Sequence, residues 1–201
     1  MVIILPIISY LIGSIPFGYI LVKTVKGIDI REHGSKNIGA TNVWRVAGKP
    51  FGIGAFVFDM LKGFVPVLVA YNIMHGKNSL AIICGIAAIL GHIFPLYLRF
   101  KGGKAAATGC GVFLFLAPLP LLIALAVWAL TVYISKFVSL GTMLASIALA
   151  VSVIFVGKSP FGEGLYLTIF TIIMSIAIIV LHRSNIKRII NGTENRIKGK
   201  K

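Results

Sequence analysis

The sequence predicts an all-α polytopic membrane protein, and three observations support this fold class. Of the 201 residues, 58% are hydrophobic and only 12% are charged, which is about half the charged share of an ordinary soluble domain. A soluble protein of this length could not bury so much apolar surface. Long apolar runs also recur along the chain, most of them near the length that a helix needs to cross a bilayer.

Seven transmembrane helices are predicted from these runs. The first run has no basic segment before it and no small-residue cleavage site after it, so we interpret it as a retained span rather than a signal peptide. Residues 105–135 are too long for one helix and too short for two full spans, and Pro118 and Pro120 break this stretch. We therefore expect a short or re-entrant helix near 105–117. The predicted helices cover residues 2–22, 53–74, 79–98, 105–117, 119–135, 138–157 and 164–181.

The basic residues predict the orientation of the chain. There are 20 Lys and Arg residues but only 5 Asp and Glu. With seven helices, every basic residue except Lys62, Lys77 and Lys158 falls on the same side of the membrane. The positive-inside rule then places the N-terminus outside and the C-terminus in the cytoplasm.

The composition also excludes several classes of function. The acidic residues are too few for a calcium site or a carboxylate-bridged metal site, and we expect no metal and no cofactor. A basic chain can bind nucleic acid, but so apolar a chain argues against a nucleic-acid partner. No linker or repeat is visible in the sequence, so residues 1–201 form one predicted domain. The polar stretch after Gly192 is expected to fray.

Three polar segments fall on the cytoplasmic side in this topology. All three are rich in hydrogen-bond donors and poor in acceptors, which suits an anion with several oxygens, such as phosphate. They are residues 34–45, residues 100–105, and residues 182–185 with Lys187 and Arg188 behind them.

The second segment has the sharpest pattern. Gly102, Gly103 and Lys104 lead into the apolar helix from Ala105. A glycine-rich turn before a helix N-terminus can bind an anion through free N–H groups and the helix dipole. The alternative is that Lys101 and Lys104 extend to lipid headgroups.

The other two segments leave alternatives open. Ser35 has no His and carboxylate at a triad spacing, so donation of its hydroxyl to phosphate is a plainer role than nucleophilic attack. An ordinary juxtamembrane loop is the competing interpretation of this segment. His182 could act as a base, as a phosphate donor or as a helix C-cap.

Three ionisable residues are predicted inside spans. Asp59 and Lys62 lie three residues apart and therefore share a helix face, where they can neutralise each other as a structural brace. Ionisable groups at membrane depth can also be functional. His92 has the same two interpretations, as a hydrogen-bonded packing residue or as a functional one.

These segments resemble those of the PlsY-type glycerol-3-phosphate acyltransferases of bacterial inner membranes. Ala105 stands where that family usually has Gly, and because alanine still permits a helix start we expect activity to be kept. The matching stretches occur in family order from end to end: GSIPFG (13–18), GSKNIGATNVWR (34–45), FDMLKG (58–63), GHIFP (91–95), FKGGK (100–104), HRSNIKR (182–188) and NGTENR (191–196).

The resemblance implies a single integral-membrane acyltransferase with its active site at the cytoplasmic face. It would transfer a fatty acyl group from acyl phosphate to the 1-hydroxyl of sn-glycerol 3-phosphate, which is the first acylation of phospholipid synthesis. The products would be lysophosphatidic acid and phosphate. The implied partners are acyl phosphate, glycerol 3-phosphate, membrane lipid and a peripheral enzyme that supplies acyl phosphate.

The resemblance and the residue chemistry together define the predicted site. Catalytic roles are expected for Ser35, Arg45, Lys104, His182 and Asn185. Structural roles are expected for Asp59 and Lys62 and, from the family pattern, for Glu194. The predicted ligands of substrate phosphate are Ser35, Asn37, Arg45, Gly102, Gly103, Lys104 and Asn185.

Two further comparisons bound the function. None of the four histidines has Asp five positions later, which excludes acyltransferases with a His-x4-Asp dyad. The alternative function is a membrane transporter for a phosphorylated metabolite, although its polar groups would have to line a path across the membrane rather than cluster on one side. In the acyltransferase reaction, either His182 or a substrate phosphate could accept the proton of the glycerol hydroxyl.

Overall fold

The computed structural model describes residues 3–73, 75, 78–157, 159–162 and 164–197. Lys77 and Lys158, the predicted outer charges, lie outside the described residues. Over that part of the chain all regular structure is helical, which confirms the predicted class. Two compact units divide the chain at Leu116 and Ala117, and each is described by itself.

The first unit, Met1–Leu116, contains six of the α-helices. Within it α1 packs against α5, and α4 packs against α5 and α6. The helices are α1 (Ile4–Gly13), α2 (Phe17–Lys26), α3 (Ala40–Ala47), α4 (Lys49–Ile73), α5 (Asn78–Ile93) and α6 (Ala106–Leu116), with short 3-10 turns at Ile30–Glu32 and Leu96–Leu98.

The first predicted span differs from the structure in two ways. It is interrupted between α1 and α2, where Pro16 has no N–H to continue the helical ladder. It also continues past residue 22 and ends at Lys26. The next residue, Gly27, takes a left-handed φ of 70°, which terminates the helix. At the interruption the carbonyl of Ile15 accepts a hydrogen bond of 2.8 Å from the Lys62 ammonium of α4.

Glycines let helix backbones in the first unit approach closely. A Cβ at Gly91 of α5 would overlap the carbonyl oxygen of Tyr10 in α1. A Cβ at Gly111 of α6 would overlap the carbonyl oxygen of Met60 in α4. Small residues at such contacts are typical of packing between membrane helices. These contacts fix the positions of α5 and α6, and the turn between those two helices contains the second polar segment.

The second unit, Ala117–Lys201, contains the remaining helices. They are α7 (Pro118–Ser135), α8 (Val138–Val156), α9 (Leu165–Leu181) and α10 (Arg183–Ile190). The sequence predicts a break at Pro118 and Pro120, and in the structure α7 starts at Pro118. The axes of α9 and α10 differ by 52°.

The expected fraying after Gly192 is wrong for residues 193–197. The Glu194 side chain is buried, and the N–H of Ile197 donates to the carbonyl of Lys136 at 2.9 Å. A short polar stretch therefore stays ordered because it has specific partners on α8 and on the turn before it.

Five helical segments in the described residues are long and apolar enough to cross a membrane, and the bent pair α9 and α10 would make a sixth. The short helix expected near 105–117 is α6, whose 11 residues would rise only about 16 Å. The apolar helices thus follow the predicted order, whereas the count of seven full spans and the orientation of the termini stay predictions.

Candidate active site

The first polar segment lies on an apolar cluster within the first unit. Val43 and Ala47 face inward from α3, while Trp44 and Arg45 face outward. Leu98, from the turn after α5, belongs to the same cluster. The second polar segment, residues 100–105, therefore begins two residues after a member of the core that underlies the first segment. The buried members of the cluster are Val22, Ile30, Ile38, Val43, Ala47, Ala55 and Leu98.

One buried amide organises the loop that contains Ser35. The Oδ1 atom of Asn42 accepts the N–H of Ser35 at 2.8 Å. Its Nδ2 atom donates to the carbonyls of Asn37 at 2.8 Å and His33 at 3.0 Å, and more weakly to that of Ile30 at 3.4 Å. Asn42 is a site residue that the sequence prediction missed. An Asn in a glycine-rich loop carries no local signal that distinguishes this role from an ordinary turn.

Three predicted ligands of phosphate lie in this loop and helix. Ser35 and Asn37 are half-buried, and Arg45 is exposed. The Oδ1 atom of Asn37 accepts the N–H of Gly39 at 2.9 Å, so the amide nitrogen is the group that remains to donate to a ligand. The loop thus presents a hydroxyl, an amide N–H and a guanidinium, all of which can donate to an anion.

The second segment folds back onto the end of α5. The N–H of Gly102 donates to the carbonyl of Ile93 at 3.2 Å, and that of Gly103 donates to the carbonyl of His92 at 3.1 Å. The expectation that both glycine N–H groups point to a ligand is therefore incorrect for this structure, because they satisfy the last carbonyls of α5. Lys104 and the first turn of α6 remain as the parts of this segment that can meet an anion.

The start of α6 also differs by one residue from the prediction. The helix begins at Ala106, and Ala105 takes a left-handed φ of 56°. Glycine adopts this conformation without a steric penalty, and alanine does so at a cost. The structure thus gives a backbone reason why glycine would suit position 105.

Asp59 and Lys62 form an ion pair inside the first unit. The Lys62 Nζ atom lies 2.8 Å from Asp59 Oδ1, and both side chains are 2% exposed. His92 Nδ1 lies 3.8 Å from the same carboxylate oxygen, and this nitrogen has no hydrogen-bond partner in the described part of the chain. The pair is geometrically suited to the brace that the sequence predicts, and its role stays a prediction.

The third segment lies in the second unit, at the bend between α9 and α10. His182 ends α9 and precedes α10, so the predicted cap position is present. Its Nδ1 atom lies 2.8 Å from the carbonyl oxygen of Ile178. A carbonyl oxygen can only accept, so Nδ1 carries the proton and Nε2 is the acceptor nitrogen of the neutral ring.

Glu194 fixes Asn185 in the same unit. Its carboxylate accepts hydrogen bonds of 2.7 Å from Asn185 Nδ2, Ser139 Oγ and Arg188 Nε. Burial raises the pKa of Glu194, but these hydrogen bonds and the charge of Arg188 outweigh burial and hold the pKa below its usual value. The ionised carboxylate can only accept, which sets the amide orientation of Asn185. Ser139 has no sequence motif that could have shown this contact.

Metal chemistry has no support from the side chains described. Within residues 3–73, 75, 78–157, 159–162 and 164–197, no three His, Cys, Asp or Glu side chains are grouped as a metal site requires. The side chains of Ser35, Asn37, Arg45 and Lys104 carry hydrogen-bond donors, and their contact with an anion stays a prediction.

Known proteins share both the sequence and the fold. The family model described as glycerol-3-phosphate acyltransferase matches residues 3–192. A glycerol-3-phosphate acyltransferase of Desulfotalea psychrophila is 46% identical, over 98% of this chain and 98% of its own length.

Two crystal structures of PlsY (YgiH), an integral membrane glycerol 3-phosphate acyltransferase, have the same fold. One is its glycerol 3-phosphate form, with a TM-score of 0.90 at 36% identity, covering 98% of this chain and 96% of that one. The other is its lysophosphatidic acid form, with a TM-score of 0.88 at 36% identity and coverages of 98% and 95%. The resemblance found in the sequence is thereby confirmed, and the chain belongs to the glycerol-3-phosphate acyltransferase family of integral membrane enzymes.

Proposed function

We propose that this protein transfers a fatty acyl group from acyl phosphate to the 1-hydroxyl of sn-glycerol 3-phosphate. The products are lysophosphatidic acid and inorganic phosphate. The observation that carries the proposal is the core under the loop of Ser35 and the helix of Arg45, because that core also includes Leu98 from the turn just before the segment of Lys104. Both substrates carry phosphate, and these segments supply donors and positive charge.

The proposed reaction needs positioning and charge stabilisation more than an enzyme nucleophile. Acyl phosphate is a mixed anhydride, so the glycerol oxygen attacks the acyl carbon and the bond to the phosphate oxygen breaks. Arg45 and Lys104 hold phosphate and offset the charge that develops in the transition state. Ser35 donates its hydroxyl, and Asn185 supports binding from the segment that Glu194 orders.

The proton of the glycerol hydroxyl has two possible acceptors, a phosphate oxygen and His182. The structure makes Nε2 the acceptor nitrogen of a neutral His182, because Nδ1 donates to Ile178. A single-turnover assay of His182→Ala decides between them. Full turnover would assign the proton to phosphate, and loss of the chemical step with substrate binding intact would assign it to His182.

The proposed setting is the cytoplasmic face of a bacterial inner membrane, in one domain formed by the whole chain. A peripheral enzyme delivers acyl phosphate there, and the lipid product stays in the bilayer. The charges on Asp59 and Lys62 neutralise each other. The Lys62 ammonium also donates a hydrogen bond to the backbone at the α1–α2 interruption. The buried pair therefore gives no support to the transporter alternative.

Purified protein in detergent tests the proposal when it is given palmitoyl phosphate and glycerol 3-phosphate. Phosphate release that depends on both substrates, with lysophosphatidic acid as the lipid product, is expected. Palmitoyl-CoA should not replace the donor. Absence of phosphate release would rule out the proposed reaction.

Two substitutions connect this activity to the site. Arg45→Ala and Lys104→Ala are each expected to lower turnover about 100-fold or more, because each removes charge from the bound phosphates. Lys101→Ala, an exposed lysine three residues before Lys104, is the matched control and should stay within about twofold of the parent.

A further inference from the structure

The turn that precedes Lys104 is built on His92. The His92 carbonyl accepts the N–H of Gly103, and a Cβ at Gly102 would overlap that same carbonyl oxygen. A Cβ at Gly103 would overlap the Nε2 atom of the His92 ring. The backbone of the turn therefore lies directly against both the main chain and the ring of this histidine.

The other side of the ring faces the buried ion pair. His92 is 3% exposed, and its Nδ1 atom lies 3.8 Å from Asp59 Oδ1. Asp59 pairs with Lys62 at 2.8 Å, and Lys62 donates to the carbonyl of Ile15 at 2.8 Å. A chain of buried polar contacts thus leads from the α1–α2 interruption through α4 to the ring.

The His92 ring is packed between the ion pair and the turn. Its Nδ1 atom has no hydrogen-bond partner in the described part of the chain, which is unfavourable for a buried nitrogen. The imidazole has a carboxylate on one side and the bare backbone of Gly103 on the other. The ring therefore lies between Asp59 of α4 and the turn that follows α5.

We propose that His92 is a positioning residue for Lys104, and that its ring, set by Asp59 and Lys62, fixes the turn of Gly102 and Gly103. This inference rests on the proposed function of Lys104 in holding substrate phosphate. His92 itself touches no substrate. Its effect on the reaction passes through the backbone that delivers the Lys104 ammonium.

Two substitutions separate ring volume from polarity. His92→Phe keeps a ring against Gly103 and loses both nitrogens, whereas His92→Ala loses the ring. His92→Ala is expected to lower kcat/KM at least tenfold, because the Lys104 ammonium is then no longer held against the phosphate whose charge it offsets. His92→Phe, which keeps the ring, should keep kcat/KM within threefold of the parent. His75→Asn, at an exposed histidine beyond the end of α4, should change none of these quantities.

Hydrogen–deuterium exchange provides a readout that does not depend on activity. The amides of residues 102–104 should exchange at least tenfold faster in His92→Ala than in the parent, and at the parental rate in His92→Phe. If the parent released no phosphate from acyl phosphate, the proposed function would fail while this exchange result could still support the role of His92. The inference is overturned if both variants change kcat/KM or exchange only in proportion to their melting temperatures, or if His92→Ala changes neither.

Discussion

A single buried side chain can fix the shape of a functional loop, and Asn42 is the residue that does so here. It is 2% exposed, and it joins the N–H of Ser35 to carbonyls on the opposite side of the loop. The position of the Ser35 hydroxyl therefore depends on a residue that touches no substrate in the proposed reaction.

Asn42→Ala is expected to lower both stability and activity. It leaves the Ser35 N–H and the Asn37 carbonyl without their partner, which costs about 2–4 kcal/mol when such groups are buried. The His33 carbonyl still accepts the N–H of Lys36. Thermal unfolding in detergent and phosphate release measure the two effects. Asn72→Ala, an exposed residue of α4, is the control. Equal melting temperatures for the two variants would contradict the structural role of Asn42.

The ionised carboxylate of Glu194 makes the stability of the fold depend on pH. Its folded pKa lies below the usual value of 4.5, so the carboxylate stabilises the fold above pH 4.5 and loses this contribution as pH falls through the folded pKa. Glu194→Gln is expected to cost about 2 kcal/mol at pH 7, because hydrogen bonds to an ionised acceptor are lost.

The measurement is the difference in melting temperature between the parent and Glu194→Gln as a function of pH. That difference should be several degrees at pH 7 and should shrink as pH falls below 4.5. Asp29 titrates alike in both proteins, because the hydrogen bond from Arg31 holds its pKa at about 2 in each. A difference that is independent of pH would show that the ionised form of Glu194 is not what stabilises the fold.

At the scale of elements, α6 tests how closely two helices must approach. Gly111 and Gly109 lie on the same short helix, but only Gly111 meets the backbone of α4, whereas a Cβ at Gly109 would meet nothing within 4 Å. Gly111→Ala is expected to cost about 1–3 kcal/mol because the helices must separate. Gly109→Ala should be neutral or stabilise by up to about 1 kcal/mol, since alanine is the better helix former.

Thermal unfolding of the two α6 variants in the same detergent checks this pair. The expected result is a melting temperature for Gly111→Ala several degrees below that of Gly109→Ala. Equal values would mean that α6 does not pack on α4 through Gly111.

The elements also show why some features follow from sequence and others do not. The ends of α7 and α2 depend on Pro118 and Gly27, whose backbone preferences are local. The bonds of Gly102 and Gly103 to α5 could not be predicted, because a glycine turn before a helix has the same pattern whether its N–H groups meet a ligand or another helix. The structural role of Glu194 was expected, but its contact with Ser139 could not be predicted, since Ser139 is distant in sequence.

At the scale of the whole molecule, the order of the apolar helices was predictable because a bilayer demands long apolar runs whatever their tertiary contacts. Topology is the part that still needs a measurement. The excess of basic residues on one side predicts an outer N-terminus and a cytoplasmic C-terminus. This orientation assumes seven predicted spans, each of which crosses the membrane in the direction opposite to the one before it.

Reporter fusions expressed in bacteria test this orientation. Green fluorescent protein fused after residue 201 should fluoresce, and alkaline phosphatase at the same place should be inactive. Alkaline phosphatase inserted between α8 and α9 should be active, because that connection is predicted to lie outside. An active phosphatase at the C-terminus would overturn the predicted topology and with it the cytoplasmic location of the proposed site.

The Glu194 anchor has a consequence for how the protein is made. Residue 194 follows every apolar helix of the described residues, so the ribosome synthesises those helices before the carboxylate that fixes Asn185 and Arg188. The bend at His182 can take its final arrangement only after that carboxylate has been made. A chain interrupted before Glu194 would contain the apolar helices and lack the group that orders this segment.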